Sequence, residues 1–354
     1  KNRSETYRAD LAGNYTSYNP GTNGSFSISV ISIGTAFEGR NRADHSNAFE
    51  QFKNNRIIIA NRLRDTRIAN PGQGYNPVDD DPVTGFPVGY GPLSQDVLRA
   101  SFLAAYTKTP ASRVTLNDFP MIPMPNWQIT YDGLSKMKPF KNYFKAFTLS
   151  HGYRSVYTIG SYATNLSYDE LADGFSYARN LSGDFYPRRE ITNVSINEQF
   201  SPLIGVDIGW QNNLTTRLEV KTSRSLAMSF ANTQLTEIFG NEYIIGAGYR
   251  FENLPLIFES ESGDKKALKS DLRITVDFSI RENTTVLRQL VEGTNETIAG
   301  QLINTIKSSA DYRISDQVTI RVFFDRVVNA PKVSKSYRQV TSSFGFSVRF
   351  ELVK

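Results

Sequence analysis

From residue 268 to 281 the chain reads LKSDLRITVDFSIR, and its polarity alternates almost without fault. Leu268, Leu272, Ile274, Val276, Phe278 and Ile280 form one row, broken only by Ser270. Lys269, Asp271, Arg273, Thr275, Asp277, Ser279 and Arg281 form the other. Period two predicts a β-strand, because successive Cβ atoms point to opposite faces of a sheet. It is long for one, since globular strands usually run to about five or six residues. The pattern recurs in Ile204, Val206, Ile208 and Trp210, in Leu214, Thr216, Leu218 and Val220, and in Tyr243, Ile245, Ala247, Tyr249 and Phe251. Near the end come Val318, Ile320, Val322 and Phe324, then Phe344, Phe346, Val348, Phe350 and Leu352.

The connections are unequal. Segments around 203–211 and 214–222 are joined by QNN, those around 267–281 and 284–292 by ENT, and those around 298–312 and 317–328 by RISD. Longer polar links, ENLPLIFESESGDKK, EGTNET and VNAPKVSKSY, fall between them. Antiparallel strands would then place short turns at one end of the sheet and longer loops at the other, the asymmetry of outer-membrane barrels. Residues 40–140 break the pattern. NAFEQFKNNRIIIANRLRD (47–65) has near-helical spacing, and 70–92 carries too much Pro, Gly and Asp for regular structure. Ser94 is placed to cap a helix over QDVLRASFLAAY, with Asp96 in its first turn. FPMIPMPNW (119–127) is a stiff extended segment. The expected division is barrel strands over 1–39, an insertion over 40–140 that folds over a rim or into a lumen, and antiparallel barrel strands over 141–354.

Composition alone suggests a soluble chain: 21% of the 354 residues are charged and mean hydropathy is −0.38. No apolar run is long enough for a transmembrane helix. Membrane β-barrels, however, put only alternate residues into lipid and are polar on average. The 40 basic and 35 acidic residues are finely interspersed, without the concentrated stripe of a nucleic-acid binder. The absence of cysteine excludes disulfides, thiolate metal sites and cysteine nucleophiles. A chain beginning at Lys1, with no initiator Met or signal-peptide pattern, reads as a mature or internal piece of something longer.

Two architectures fit the alternation. In a soluble β-sandwich the apolar faces meet in a core; in a membrane barrel they meet lipid while the polar faces line a wet interior. Most segments reach the 9–11 or so residues of a spanning strand, and the apolar rows are rich in Phe and Tyr, as interfacial girdles require. The expectation is an all-β, antiparallel transmembrane barrel with about twelve to fourteen strands in this chain. Leu272, Ile274, Val276, Phe278, Phe344, Phe346 and Phe350 are then lipid-facing, and Arg217, Glu219, Asp271, Arg273, Asp277, Arg349 and Glu351 lumen-facing. Such charges either keep a wide passage hydrated or pair across neighbouring strands to fix register.

LNDFPMIPMPNWQITYDGLSK and FKAFTLSHGYRSVYTIGSYATNLSY, with EQFSPLIGVDIGW, ANTQLTE and RVFFDRVVNAPKVS, resemble the C-terminal region of the SprA/Sov family. Its members are the giant outer-membrane translocons of the Bacteroidetes type IX secretion system. The resemblance implies a protein-conducting barrel too large for 354 residues to close, of which this chain supplies the last part of the wall. It implies export of folded cargo bearing C-terminal signal domains. The implied partners are the rest of the translocon polypeptide, a PorV-type shuttle protein, a periplasmic plug protein, lipoproteins, the cargo itself, and membrane lipid or lipopolysaccharide. It brings no catalytic motif, no cofactor and no nucleic acid. The alternatives are a self-contained channel or receptor for small solutes and a soluble β-rich binding protein.

Other candidate chemistry is sparse. His45 and His151 are the only histidines; His151 lies near Ser150 and Ser155, without the acid or oxyanion hole of a triad. Asp79, Asp80 and Asp81 with Asn76 offer clustered oxygens to Ca²⁺ but lack the glycine and distal Glu of an EF-hand, and a solvated acidic loop is the better explanation of them. GTNGS and GPLS lack the length and lysine of a phosphate loop.

Overall fold

The computed structural model describes residues 1–9, 15–38, 45–69, 81–259, 265–314, 317–333 and 336–351. Alternating polarity translates into long strands: β1 (Asn2–Ala9), β2 (Tyr15–Ser29), β3 (Trp127–Tyr131), β4 (Phe144–Thr164), β5 (Arg189–Ile191), β6 (Asn193–Trp210), β7 (Leu214–Ser229), β8 (Gln234–Glu259), β9 (Lys265–Gln289), β10 (Asn295–Arg313), β11 (Val318–Pro331) and β12 (Gln339–Phe350). They form one antiparallel sheet in the order β1-β2-β4-β6-β7-β8-β9-β10-β11-β12, with β3 and β5 both beside β4. The fold is all-β. Among the described residues β1 and β12 do not meet, so the sheet is open.

Two expected connections are strand instead. ENT (282–284) is no turn; β9 runs through it, with Glu282 opposite Asn241 and Thr284 opposite Phe239. Much of ENLPLIFESESGDKK is likewise strand, extending the β8–β9 hairpin beyond Phe251, past an irregularity between Phe251 and Leu254. That hairpin therefore closes at the same end as the QNN turn, and the proposed split into short-turn and long-loop ends fails there. The physical reason lies in the surroundings: polar residues at 282–284 mark where a strand passes from one environment to another, not where it reverses.

β2 and β3 share one lane against β4: Ser29 is opposite Val156, and Trp127 opposite Tyr153. Between those pairs, Val30 N donates to Ser155 O at 3.1 Å, and Ser155 N donates to Asn126 Oδ1 at 2.9 Å. The chain thus leaves the sheet after Ser29 and re-enters the same lane at Trp127. The excursion contains α1 (Ile33–Ala36), α2 (Asn47–Ala69) and α3 (Gln95–Tyr106). Ser94 does precede α3, but its side chain makes no capping bond; its carbonyl accepts from Leu98 N instead. Phe49, Phe52, Leu98, Phe102 and Tyr106 pack on Tyr157, Ile159, Val194, Ile196, Leu226, Met228 and Leu235 of the sheet. The insertion covers one end of one face.

Arginines fix the layer and the segment leading from it. Arg62 donates to Ala111 O and Val114 O (2.6 and 2.8 Å), and Arg99 to Asn117 O and Leu116 O (2.6 and 2.7 Å). Arg67 donates to Ser176 O at 2.9 Å and lies over the rings of Phe185, Phe175 and Tyr177 at 4.0, 4.6 and 5.0 Å. With a further hydrogen bond from its Nε to Tyr90 OH at 3.0 Å, it ties the β4–β5 loop and the segment around Tyr90 to α2.

Asp96 retains some surface, but the protein packed around its carboxyl dominates, and burial pushes it up to about 6 against the attraction of Arg99. A carboxyl raised on folding contributes stability that is complete below its unfolded value and lost as pH climbs through the folded one. Asp96→Asn should therefore flatten the fall in stability of the helical layer between about pH 4 and 6, read as thermal unfolding against pH.

Candidate functional site

Strand register assembles the alternating rows into continuous bands. Leu149, Val206, Leu218, Ile245, Phe278 and Ile306 lie opposite one another in turn from β4 to β10. One pair lower on the same face runs Ile208, Thr216, Ala247, Val276, Ser308, Phe324 and Phe344. The next row holds Leu214, Tyr249, Ile274, Ala310, Val322 and Phe346. Phe251, Leu272, Tyr312, Ile320 and Val348 follow, with Phe350 one pair further along β12. No irregularity interrupts the β7–β8, β10–β11 or β11–β12 ladders, so parity carries from strand to strand.

Apart from Tyr312, which is buried with its hydroxyl on Leu254 O, this band is largely uncovered. Leu218 is 49% exposed, Ile245 57%, Ile274 37%, Phe278 36% and Phe346 75%. All seven residues expected on the apolar side, Leu272, Ile274, Val276, Phe278, Phe344, Phe346 and Phe350, have this parity. Aromatic residues gather at its margins. Trp127, Tyr153 and Phe200 stack at one, with centroids 4.5 and 5.0 Å apart; Phe144 and Trp210 stand 5.0 Å apart toward the other.

The opposite face is polar. Asp207, Arg217, Gly246, Asp277, Lys307 and Asp325 form one row across six strands. Six of the seven residues expected there, Arg217, Glu219, Asp271, Arg273, Asp277 and Arg349, lie within strands on this parity, while Glu351 stands one residue past β12. Ion pairs join neighbouring strands: Arg281 to Glu242 at 2.9 Å, Arg250 Nε to Asp271 at 3.0 Å, and Arg321 to Asp311. Others run along one strand, from Arg217 and from Lys221 to Glu219. Glycines keep the relief low. A Cβ at Gly246 would collide with Asp277 Oδ1, and one at Gly248 would sit 2.6 Å from Thr215 Oγ1, so these side chains lie flat across β8.

Above the band, on the apolar parity, comes a tier invisible to simple alternation. Arg224 pairs with Glu198 at 2.9 Å and Arg288 with Glu237 at 2.8 Å, all four side chains buried. Arg224 also donates to Thr35 O and Thr35 Oγ1, both at 2.8 Å, and to Ser32 O at 3.3 Å. Glu198 accepts from Ser32 Oγ (2.6 Å) and Tyr153 OH (2.9 Å). The signal was present in the sequence as charges standing in apolar rows, Glu198 between Ile196 and Phe200 and Arg288 between Val286 and Leu290.

His151 sits among Trp127 and Phe200, with Nδ1 2.7 Å from Leu203 O, while Ser155 Oγ bonds Ser32 Oγ at 2.8 Å; no triad geometry joins them. His45 Nε2 lies 3.0 Å from Asn47 Oδ1. Of the acidic loop, Asp79, Asp80 and Asn76 lie outside the described residues. Asp81 closes a turn, and hydrogen bonds from Thr84 Oγ1 (2.6 Å) and Val83 N (3.0 Å) hold its carboxyl below the usual carboxylate range.

No protein-family model matches the chain, and no curated protein matches it.

The two kinds of ion pair differ in expected weight. Arg281→Gln, at an exposed pair, should cost under about 1 kcal/mol. Glu198→Leu leaves Arg224 buried and uncompensated and should cost about 3–5 kcal/mol. Denaturant or thermal unfolding of each variant measures the contrast, and the Glu237→Leu/Arg288→Met double variant should recover most of what either single change loses.

Proposed function

We propose that this chain is a section of wall from a large outer-membrane β-barrel that conducts proteins: the C-terminal part of a type IX translocon of the SprA/Sov kind. The observation that carries the proposal is the pairing of one largely uncovered apolar band with a charged opposite face, on a sheet whose two edges do not pair with each other among the described residues. In β9 the band from Leu272 to Ile280 would rise roughly 20 Å if tilted by about 45°, at about 3.3 Å per residue. An outer-membrane apolar belt is about 25 Å tall. Lipid satisfies the band, and water in the lumen satisfies the charges.

Each alternative meets a specific obstacle. A soluble sandwich needs a second sheet over the band, and the band is exposed. A self-contained channel needs β12 to pair with the lane at the other edge, and no such pairing exists among the described residues. Free edges within a bilayer would leave backbone groups unpaired, so the wall must be continued by further strands, supplied by the rest of the translocon polypeptide. The charged face, flattened over glycines, suits a hydrated passage that offers folded cargo no single adhesive patch. Shuttle, plug and lipoprotein partners, and an energy source outside this chain, complete the reading.

A charge placed on alternate residues tests it. Ile245→Arg, in the band, should cost about 2–4 kcal/mol and deplete the protein from the outer-membrane fraction. Ile244→Arg, one residue away on the polar face, should leave insertion and export of signal-bearing cargo near wild-type levels. Equal tolerance of both, with recovery of the protein in the absence of detergent, would remove the membrane reading altogether.

A further inference from the structure

The insertion lies on the same face as the apolar band, so if that face meets lipid, the helical layer stands outside the wall, not in its lumen. Its lowest element is α1. Phe37, which follows α1, stacks on Phe200 at 5.2 Å, and Phe200 is opposite Thr222, one cross-strand pair above the Ile204–Val220 pair. Phe37 is 53% exposed, and Ile33, at the start of α1, is also exposed. Met121, Ile122 and Met124 are exposed on the stiff segment that leads back into the sheet. That segment is fixed at both ends. Phe119 packs on Phe26 and Tyr162 at 5.1 and 4.9 Å, and Met124 exchanges backbone and hydroxyl hydrogen bonds with Ser29 at 3.0 and 2.6 Å.

A four-residue turn bearing Ile33 and Phe37 has little core of its own. It is held by the buried pair beneath it, since Arg224 binds the carbonyls of Ser32 and Thr35, and Glu198 binds the Ser32 hydroxyl. Such a fixture is costly in desolvation, and what it does is hold two exposed apolar side chains at the upper margin of the band, beside Trp127 and Tyr153. Amphipathic aromatic residues at that level are typical of a bilayer boundary.

We propose that α1 and Phe37 form an interfacial foot that rests in the headgroup and upper acyl region of the membrane, held there by the Glu198–Arg224 pair. The occupant of this ledge is lipid, because Phe37 itself lies over the buried Phe200, and the exposed Ile204 and Tyr243 of the band begin one cross-strand pair lower on the same face. The inference rests on the membrane reading of the band.

These 354 residues contain no cysteine, and with any cysteine in the rest of the translocon polypeptide replaced by serine, single labels are clean. In the intact protein reconstituted in nanodiscs, an environment-sensitive fluorophore would be placed at Phe37→Cys, at Val276→Cys in the band, and at Leu181→Cys in a solvent-exposed loop. Phe37→Cys should be shielded from aqueous iodide and quenched by lipids spin-labelled near the headgroup, while Val276→Cys responds to labels deeper in the acyl chain. Adding Arg224→Gln should raise iodide quenching at residue 37 several-fold and leave residue 276 unchanged. If residue 37 is as accessible to iodide as residue 181 while 276 meets lipid, the foot is wrong and the wall reading stands. If 37 is shielded yet unaffected by lipid quenchers, protein covers it and the proposal fails. If 276 itself meets water, the membrane reading fails first.

Discussion

Strand parity is the constraint on which the rest of the structure depends. A side chain on a β-strand has only two directions available, and a slip of one residue exchanges every member of one face for the other. From β6 to β12 the register keeps the mainly apolar rows on one face across successive ladders, although β6, β8, β9 and β10 each carry an irregularity in pairing with a neighbour. The irregularity in β6 between Phe200 and Ile204 preserves parity, since both pair with even-numbered β7 residues, Thr222 and Val220. The irregularities thus leave the apolar and the polar face distinct.

The apolar face is nevertheless not uniform. Along β7 it passes from the exposed Leu218 and the half-buried Val220, through Thr222 and Arg224, to Leu226 and Met228, sealed beneath the helices. The same parity therefore serves two environments in succession, and the buried ion pairs stand where one gives way to the other. Charge there is tolerable because each guanidinium meets both a carboxylate and backbone oxygens or a side-chain amide: Arg224 at Ser32 and Thr35, Arg288 at Asn295. Exposed pairs on the opposite face do less, orienting Arg281 on Glu242 and Arg321 on Asp311 within a face that is already hydrated.

Much of this was legible in the sequence because period two survives in the long strands from about residue 200 onward, and the two faces of β9 and β12 follow from it directly. Both larger helices also announced themselves, α2 through its spacing of Phe49, Phe52 and Ile59 and α3 through the run following Ser94. What misled was local polarity. Glu282, Asn283 and Thr284 look like a turn because turns are polar, but here polarity records a strand emerging from the apolar band toward the Lys332 ion pair and the helical layer. Ser94 looked like a cap because serine often is one, yet only its backbone serves α3. Where the insertion sits was beyond pattern reading, since parity names two faces without saying which one a distant segment will cover.

The divided lane of β2 and β3 bears on how such a sheet accommodates an added layer. Both ends of the excursion abut the same few residues of β4, so the helices interrupt a ladder without altering its pitch or the order of its neighbours. A splice from Ser29 toward Trp127 would ask for local mending only. An insertion spliced in this way can change in size while the strands on either side keep their places.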